Sequence, residues 1–287
     1  MAFGALLLGA TAISAAPILV RLSEAGPVST AFWRMFFALP VFWWWIIRQS
    51  PIQRTVVEVP RQTGFGWVLL TGFFFAGDLT AWHWSLHFTT VANSLILANC
   101  APIFVTLGAW LFFRQPVTPT FLLGLTIAIV GALLLVGTGF DLNQQNWFGD
   151  LLAVLTAIFY AGYILSIKQA RQHFPTVTIL GWSGLAAAIL LFGIAYLSGE
   201  IFLATTLVGW LVLISLALIA QVGGQSLIAY ALAHLPAPFS SVTLLLQPVL
   251  ATIFAWIILS EAISIGQAIG GAIVLSGIFL ARQGSEV

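Results

Sequence analysis

Two charged residues of this 287-residue chain, Arg34 and Asp78, stand deep inside long apolar runs. A charge centred in a bilayer costs about 2.5 to 3.5 kcal/mol on insertion scales, so each needs a partner, a protein surrounding or water. Arg34 follows the start of its run near Pro27 by seven residues, and Asp78 precedes the end of its run near Leu86 by eight. At a rise of roughly 1.5 Å per residue, both fall about 10 to 12 Å below the same edge. Three readings stay open. The two form a buried ion pair fixing the second and third spans, or one or both face a cavity and hold a substrate's carboxylate or ammonium or carry a coupling proton, or Arg34 reaches outward alone.

Beyond Asp78 come Trp82, His83, Trp84 and His87. His83 and His87 have the i, i+4 spacing of a helical metal pair, but no Glu follows the first His and no third ligand is near in sequence, so no metal site is expected. His83 is read as a hydrogen-bonding group of a cavity and His87 as interfacial. Trp82 and Trp84, two residues apart, leave a helix on different sides, so at most one lines a cavity. Asn93, Asn99, Tyr160, Tyr163, Gln221, Gln225, Tyr230 and Gln247 add neutral hydrogen-bonding groups. Each serves either ligand contact or an interhelical bond averaging about 0.6 kcal/mol. Pro17, Pro102 and Pro248 kink helices and free carbonyls, as hinges or as packing kinks. An enzyme would need a nucleophile with its base, a metal cluster or a phosphate-cradling loop; none is found, so no catalytic residue and no cofactor is expected.

The elements that must position these groups follow from composition. The chain is 61% hydrophobic and 6% charged, against about a quarter charged in soluble domains. Apolar runs of about 20 residues recur throughout, the pattern of an all-α integral membrane protein; a strand barrel would alternate in polarity. A net charge of +1 offers no basic surface to nucleic acid, and the single Cys100 rules out an intrachain disulfide. Ten spans are expected, near Ala2 to Val20, Pro27 to Ile47, Phe65 to Trp84, Val91 to Phe113, Thr120 to Val136, Phe148 to Ile167, Thr176 to Tyr196, Leu207 to Ala229, Phe239 to Leu259 and Ile265 to Ala281. The first has no basic stretch ahead of it, so it reads as a span rather than a cleaved signal, and the native start could lie upstream. The links are short and leave no separate soluble domain.

Arg48, Arg54, Arg61, Arg114, Lys168, Arg171 and Arg282 fall on the side shared by both termini and only Arg21 on the other. Seven against one places both termini in the cytoplasm. Glu24, Asp141, Glu200 and Glu261 fall mainly outside, and Trp147 and Trp210 sit near span ends. Gly266 with Gly270, and the pair Gly223 and Gly224, read as close helix packing rather than a dimer seam, so a monomer is expected.

The text also repeats. Phe3, Gly4, Leu6, Leu7, Thr11, Ala12, Ile13 and Ala16 match Phe148, Gly149, Leu151, Leu152, Thr156, Ala157, Ile158 and Ala161 at an offset of 145. At an offset of 146, Ser94, Pro102, Thr106, Ala109, Trp110, Gly124, Ile127 and Gly131 match Ser240, Pro248, Thr252, Ala255, Trp256, Gly270, Ile273 and Gly277. Two five-helix repeats, residues 1–140 and 147–287, are therefore expected in one membrane domain. An odd number of spans per repeat inverts the second copy, which is transporter architecture.

The stretch from Ser94 to Leu134, with Pro102, Trp110, Gly124 and Gly131, and its partner from Ser240 to Ala281, with Gln247, Pro248, Trp256, Ser260, Glu261, Gln267, Gly270 and Gly277, resemble the paired modules of the drug/metabolite transporter superfamily, EamA branch. Ala31, Phe32, Trp33 and Arg34 and the link from Leu86 to Ala92 resemble it too; Gln115 departs from it, where an acidic residue often follows span four. The resemblance covers essentially the whole chain. It implies ten helices, a central cavity and export of amino acids or related metabolites across a bacterial plasma membrane, and the aromatic content suggests the aromatic amino-acid exporter (YddG-like) type. It assigns spans three, four, six, eight and nine to the cavity, which makes Asp78, Trp82, His83, Asn99, Tyr160, Tyr163, Gln225 and Gln247 the candidate substrate-binding residues. Competing readings are a carrier of other metabolites or lipophilic drugs, and a structural or lipid-scrambling protein, which would not need inverted halves.

Overall fold

A computed structural model describes residues 1–48, 61–89, 91–136, 147–259 and 263–285. The described residues are helical and contain no strand. In chain order the helices are α1 (Ala2–Ser14), α2 (Ala16–Arg21), α3 (Pro27–Arg48), α4 (Arg61–Phe88), α5 (Val91–Ala98), α6 (Ala101–Phe113), α7 (Pro119–Val136), α8 (Trp147–Ala170), α9 (Thr176–Ser198) and α10 (Leu207–Ser215). A π-helical segment, Leu216–Gln225, then leads into α11 (Ser226–Leu232), α12 (Ala237–Thr243), α13 (Leu246–Leu259) and α14 (Ile265–Gly284). Joined where they run on, they give nine stretches long and apolar enough to cross a bilayer among the described residues, with the shorter Pro119–Leu135 as a tenth apolar helix. The protein is a multi-pass helical membrane protein, as the apolar periodicity predicted.

Local chemistry sets the helix ends. Arg114 takes a left-handed conformation (φ 51°) at the end of α6, and Gly199 does so (φ 69°) at the end of α9, where a missing Cβ removes the strain. Ser264 opens α14 with a capping box, accepting from the Gln267 amide while the Gln267 side chain accepts from the Ser264 amide. Three proline sites interrupt spans. α1 gives way to α2 at Ala15 beside Pro17, α5 to α6 at Asn99 and Cys100 before Pro102, and α12 to α13 at Leu244 and Leu245 before Pro248. Proline lacks the amide that the carbonyl four residues back would accept, so the chain tightens instead: Cys100 donates to the Leu97 carbonyl and Leu245 to that of Val242.

The chain forms two compact units, residues 1–77 with 162–234 and residues 78–161 with 235–287. Each draws helices from both halves of the sequence. In the first, α3 packs along α9, and α1 packs against the π segment and α11. The approach there is close: a Cβ on Gly9 would meet the Gly224 carbonyl at 2.9 Å and one on Gly224 would meet Ile13 at 2.5 Å. In the second unit α7 packs lengthwise on α14 through Gly124, Gly131, Gly270, Gly277 and Gly284. A Cβ on these would collide with backbone of Ala281, Val274, Leu135, Ala128 and Phe121 respectively. Partners descend in number as positions ascend, so the two helices are antiparallel.

Two expectations change. The seam glycines of α14 are Gly270, Gly277 and Gly284, seven apart, whereas Gly266 faces only the Ser264 hydroxyl, so Gly266 with Gly270 is not the packing pair. Lys168, expected in a link, lies inside α8, which continues to Ala170. Arg54, Asp141, Ser260 and Glu261, and the side chains of Leu86 and His87, lie outside the described residues.

Candidate functional site

In the first unit, α3 starts at Pro27, whose fixed φ suits a first helical position, and the Glu200 carboxylate accepts from the Val28 and Ser29 amides at 2.9 and 3.1 Å. Two turns further on, Arg34 is 7% exposed. Its Nε donates to Gln221 Oε1 at 3.1 Å, and its guanidinium carbon lies 5.6 Å from the centre of the Phe75 ring. Phe75 stacks on Tyr163, centroids 4.7 Å apart at 26°. The Tyr163 hydroxyl donates to Gln225 Oε1 at 3.0 Å. Ser166 Oγ donates to the Tyr163 carbonyl at 3.0 Å and lies 3.1 Å from Thr71 Oγ1.

The π segment supplies both glutamines, Gln221 and Gln225. Its i→i+5 bonding inserts a residue relative to an α-helix, a departure frequent at functional sites. Arg34, Tyr163, Gln221 and Gln225 thus form one buried network with an aromatic pair at its centre. In a low dielectric such bonds are strong and an unmade one is costly. The groups hydrogen-bond and stack; they do not pair a nucleophile with a base.

The second unit holds the remaining candidates. Asp78 is its first residue, half-buried. His83 is 3% exposed, its Nδ1 donates to the Leu79 carbonyl, and its ring meets Trp82 edge-on at 4.9 Å. A carbonyl only accepts, so this bond puts the proton of a neutral imidazole on Nδ1 and leaves Nε2 an acceptor. Tyr160, Trp82 and Asn99 are half-buried. Asn99 stands at the interruption before α6, and Gln247 just past the one before α13, its Nε2 buried without a partner among the described residues. Ser240 Oγ is in the same position, while its sequence counterpart Ser94 bonds Ser85 at 2.5 Å.

Residue reasoning missed Phe75, which no contrast of type marks within Phe73, Phe74 and Phe75. It also missed Asp150, in the first turn of α8, which accepts from Thr89 Oγ1 at 2.6 Å and Asn93 Nδ2 at 3.0 Å. An acid just inside a helix start, where the dipole favours it, was the available signal.

A family model described as EamA-like transporter family matches the chain twice, over residues 1–137 and 147–283. A protein from Archaeoglobus fulgidus described as an uncharacterized transporter is 25% identical over 272 residues, 92% of this chain and 90% of its own. A riboflavin transporter from Brucella anthropi is 26% identical over 267 residues, covering 90% and 89%. The pseudopaline exporter CntI of Pseudomonas aeruginosa is 26% identical over 227 residues, covering 79% and 78%. A solved crystal structure shares the fold with a TM-score of 0.83 over 99% of this chain and 98% of its own, at 19% identity.

Proposed function

Since the chain belongs to the EamA-like transporter family, we propose that it is a secondary transporter that exports aromatic or bulky apolar amino acids by alternating access. The observation that carries this reading is the buried network of Arg34, Phe75, Tyr163, Gln221 and Gln225. It offers an aromatic plane for a ring, and a guanidinium, a phenol and two amides for polar groups. Tyr163 and Gln225 satisfy one another in this conformation, so a substrate's polar atoms would exchange for that bond rather than add to it. An apolar wall discriminates weakly, since one methylene is worth about 1 to 3 kcal/mol, so specificity is broad.

The proposal includes two inverted five-helix repeats, residues 1–140 and 147–287, with both termini in the cytoplasm of a bacterial plasma membrane. Antiparallel packing of α7 on α14 through the counterpart glycines Gly124, Gly131, Gly270 and Gly277 supports the inversion, and the seven-to-one distribution of Lys and Arg supports the orientation. Helix interruptions at Asn99 and at Leu245, positions related by the same offset of 146, support a path near both. Discontinuous helices at corresponding positions of two halves mark the binding region of many transporters. Pro102 and Pro248 are the hinge positions of this scheme, with Pro17 a third.

A flat heteroaromatic solute is the second reading, favoured by the likeness to a riboflavin transporter. Purified protein in liposomes, loaded in turn with phenylalanine, tyrosine, leucine and riboflavin, separates the two. The first reading predicts faster loss of the amino acids than from empty vesicles. Loss of riboflavin alone selects the second, and retention of all four overturns both.

A further inference from the structure

A cluster of basic groups lies at the ends of α8 and α11 in the first unit, away from the network above. Lys168, in the last turn of α8, donates from Nζ to the Leu232 carbonyl at 3.3 Å. Arg171, just beyond that helix, donates from Nη1 to the Phe174 carbonyl at 2.6 Å, and its Nε is buried without a partner among the described residues. His234 bonds the Tyr230 carbonyl through Nδ1 at 2.9 Å and its ring lies 4.7 Å from that of Tyr230. The start of α4 joins them: a Cβ on Gly64 would meet His173 and Phe174 at 3.0 Å, and Arg61 stands one turn before Gly64. Residues 61–64, 168–176 and 230–234 contain no Asp or Glu. Glu58, three residues before Arg61, lies outside the described residues.

Half-burying guanidinium costs solvation, and burial pushes the Arg171 group below its ordinary range. With Nη1 satisfied by backbone, Nε remains a donor to an acceptor that no described side chain provides. An oxyanion with several lone pairs fits, and phosphate is the group that arginine and lysine bind together through charge-assisted bonds. Depth selects its source. α8 is 24 residues long and apolar enough to span, so its end, with Lys168 and Arg171, falls at the level of lipid headgroups. Basic pockets between helices on the cytoplasmic side, where the proposed orientation puts this end of α8, hold anionic headgroups. We propose that Lys168 and Arg171, with the ends of α4, α8 and α11, form a binding site for the phosphate of an anionic phospholipid.

The site is independent of the substrate proposal and is tested without transport. Native mass spectrometry of the full-length protein in detergent, titrated with phosphatidylglycerol or with phosphatidylcholine, reads the retained lipid. The wild type retains phosphatidylglycerol preferentially. Arg171→Gln weakens that retention about tenfold, the loss of one charge-assisted hydrogen bond, and Lys168→Gln weakens it too, while Arg21→Gln, outside the cluster, leaves it unchanged. Where Arg171→Gln does not fold, Arg171→Lys replaces it and shows a partial loss, since an ammonium keeps the charge but not the fork. Inorganic phosphate that displaces the lipid at millimolar concentration assigns the site to free phosphate and overturns the lipid source. Equal retention of the two lipids by the wild type, or unchanged retention in both cluster variants, overturns the site. A preference that appears only in Glu58→Gln overturns it as well, since Glu58 then fills the place assigned to the lipid.

Discussion

Tyr163 and Gln225 hold one another by a buried hydrogen bond, and the proposed function gives the same pair a part in selectivity. Tyr163→Phe removes the hydroxyl and leaves Gln225 Oε1 buried without its donor. An orphaned buried polar atom costs about 1 to 3 kcal/mol, whereas hydrogen bonds between membrane helices average about 0.6 kcal/mol. The smaller figure is expected to govern, because the unfolded chain in a bilayer also finds partners. Thermal unfolding in detergent should then show a loss below about 1 kcal/mol, and a loss of several would mark the pair as chiefly structural. Arg34→Lys is the sharper test at this scale. The charge stays, but the Nε donor to Gln221 and the planar contact with Phe75 go, so transport should fall while the amount of folded protein holds. Arg34, Tyr163 and Gln225 were legible in the sequence because a charge or hydrogen-bonding group inside an apolar run needs a reason. Their connection was not. It runs through Phe75, identical in type to its two neighbours, and through a π segment whose register shift leaves no mark in residue type.

The elements carry two further predictions. Gly277→Leu places a branched side chain against the Ala128 backbone, where a single Cβ already collides. Overpacking costs about 1 to 3 kcal/mol, so the yield of folded protein should drop, while Gly266→Leu, with no heavy atom closer than the Ser264 hydroxyl at 3.9 Å, should leave it unchanged. Equal losses would contradict the seam. The second concerns the Glu24 carboxylate, which clasps Thr205 and Thr206 just ahead of α10. Glu24 accepts from the side chain and amide of Thr206 and then of Thr205, which lower its pKa from an ordinary 4.5 to about 2. A depressed carboxylate pKa stabilises the fold above the unfolded value, and the contribution fades as pH falls from 4.5 toward about 2. The melting-temperature advantage of wild type over Glu24→Gln should be level near neutral pH and shrink in that window; an advantage constant through it contradicts the clasp. Spans were readable because a run of about 20 apolar residues has few alternatives. Which glycines form a seam was not, because small residues at every fourth and every seventh position both read as packing until a partner helix selects one stripe.

At the scale of the molecule, orientation and transport remain as proposals with direct tests. With both termini cytoplasmic, single cysteines introduced into the link from Arg48 to Gly64, in a Cys100→Ala background, should resist a membrane-impermeant thiol reagent in intact cells, and one placed beside Glu24 should react. The reverse pattern would invert the topology. The helical class and the number of apolar segments followed from composition, and membership of the family from the resemblance carried by the stretches Ser94 to Leu134 and Ser240 to Ala281. Substrate identity did not, because the candidate site is mostly neutral and aromatic, and such groups accept many planar or bulky solutes at similar affinity. The most direct measurement is therefore counterflow of labelled phenylalanine in liposomes containing wild type, Tyr163→Ala or Gln225→Ala, each normalised to folded protein. The account predicts accumulation by the wild type above protein-free vesicles and a marked loss in both variants. Equal accumulation by all three proteins, or none by the wild type, would contradict it.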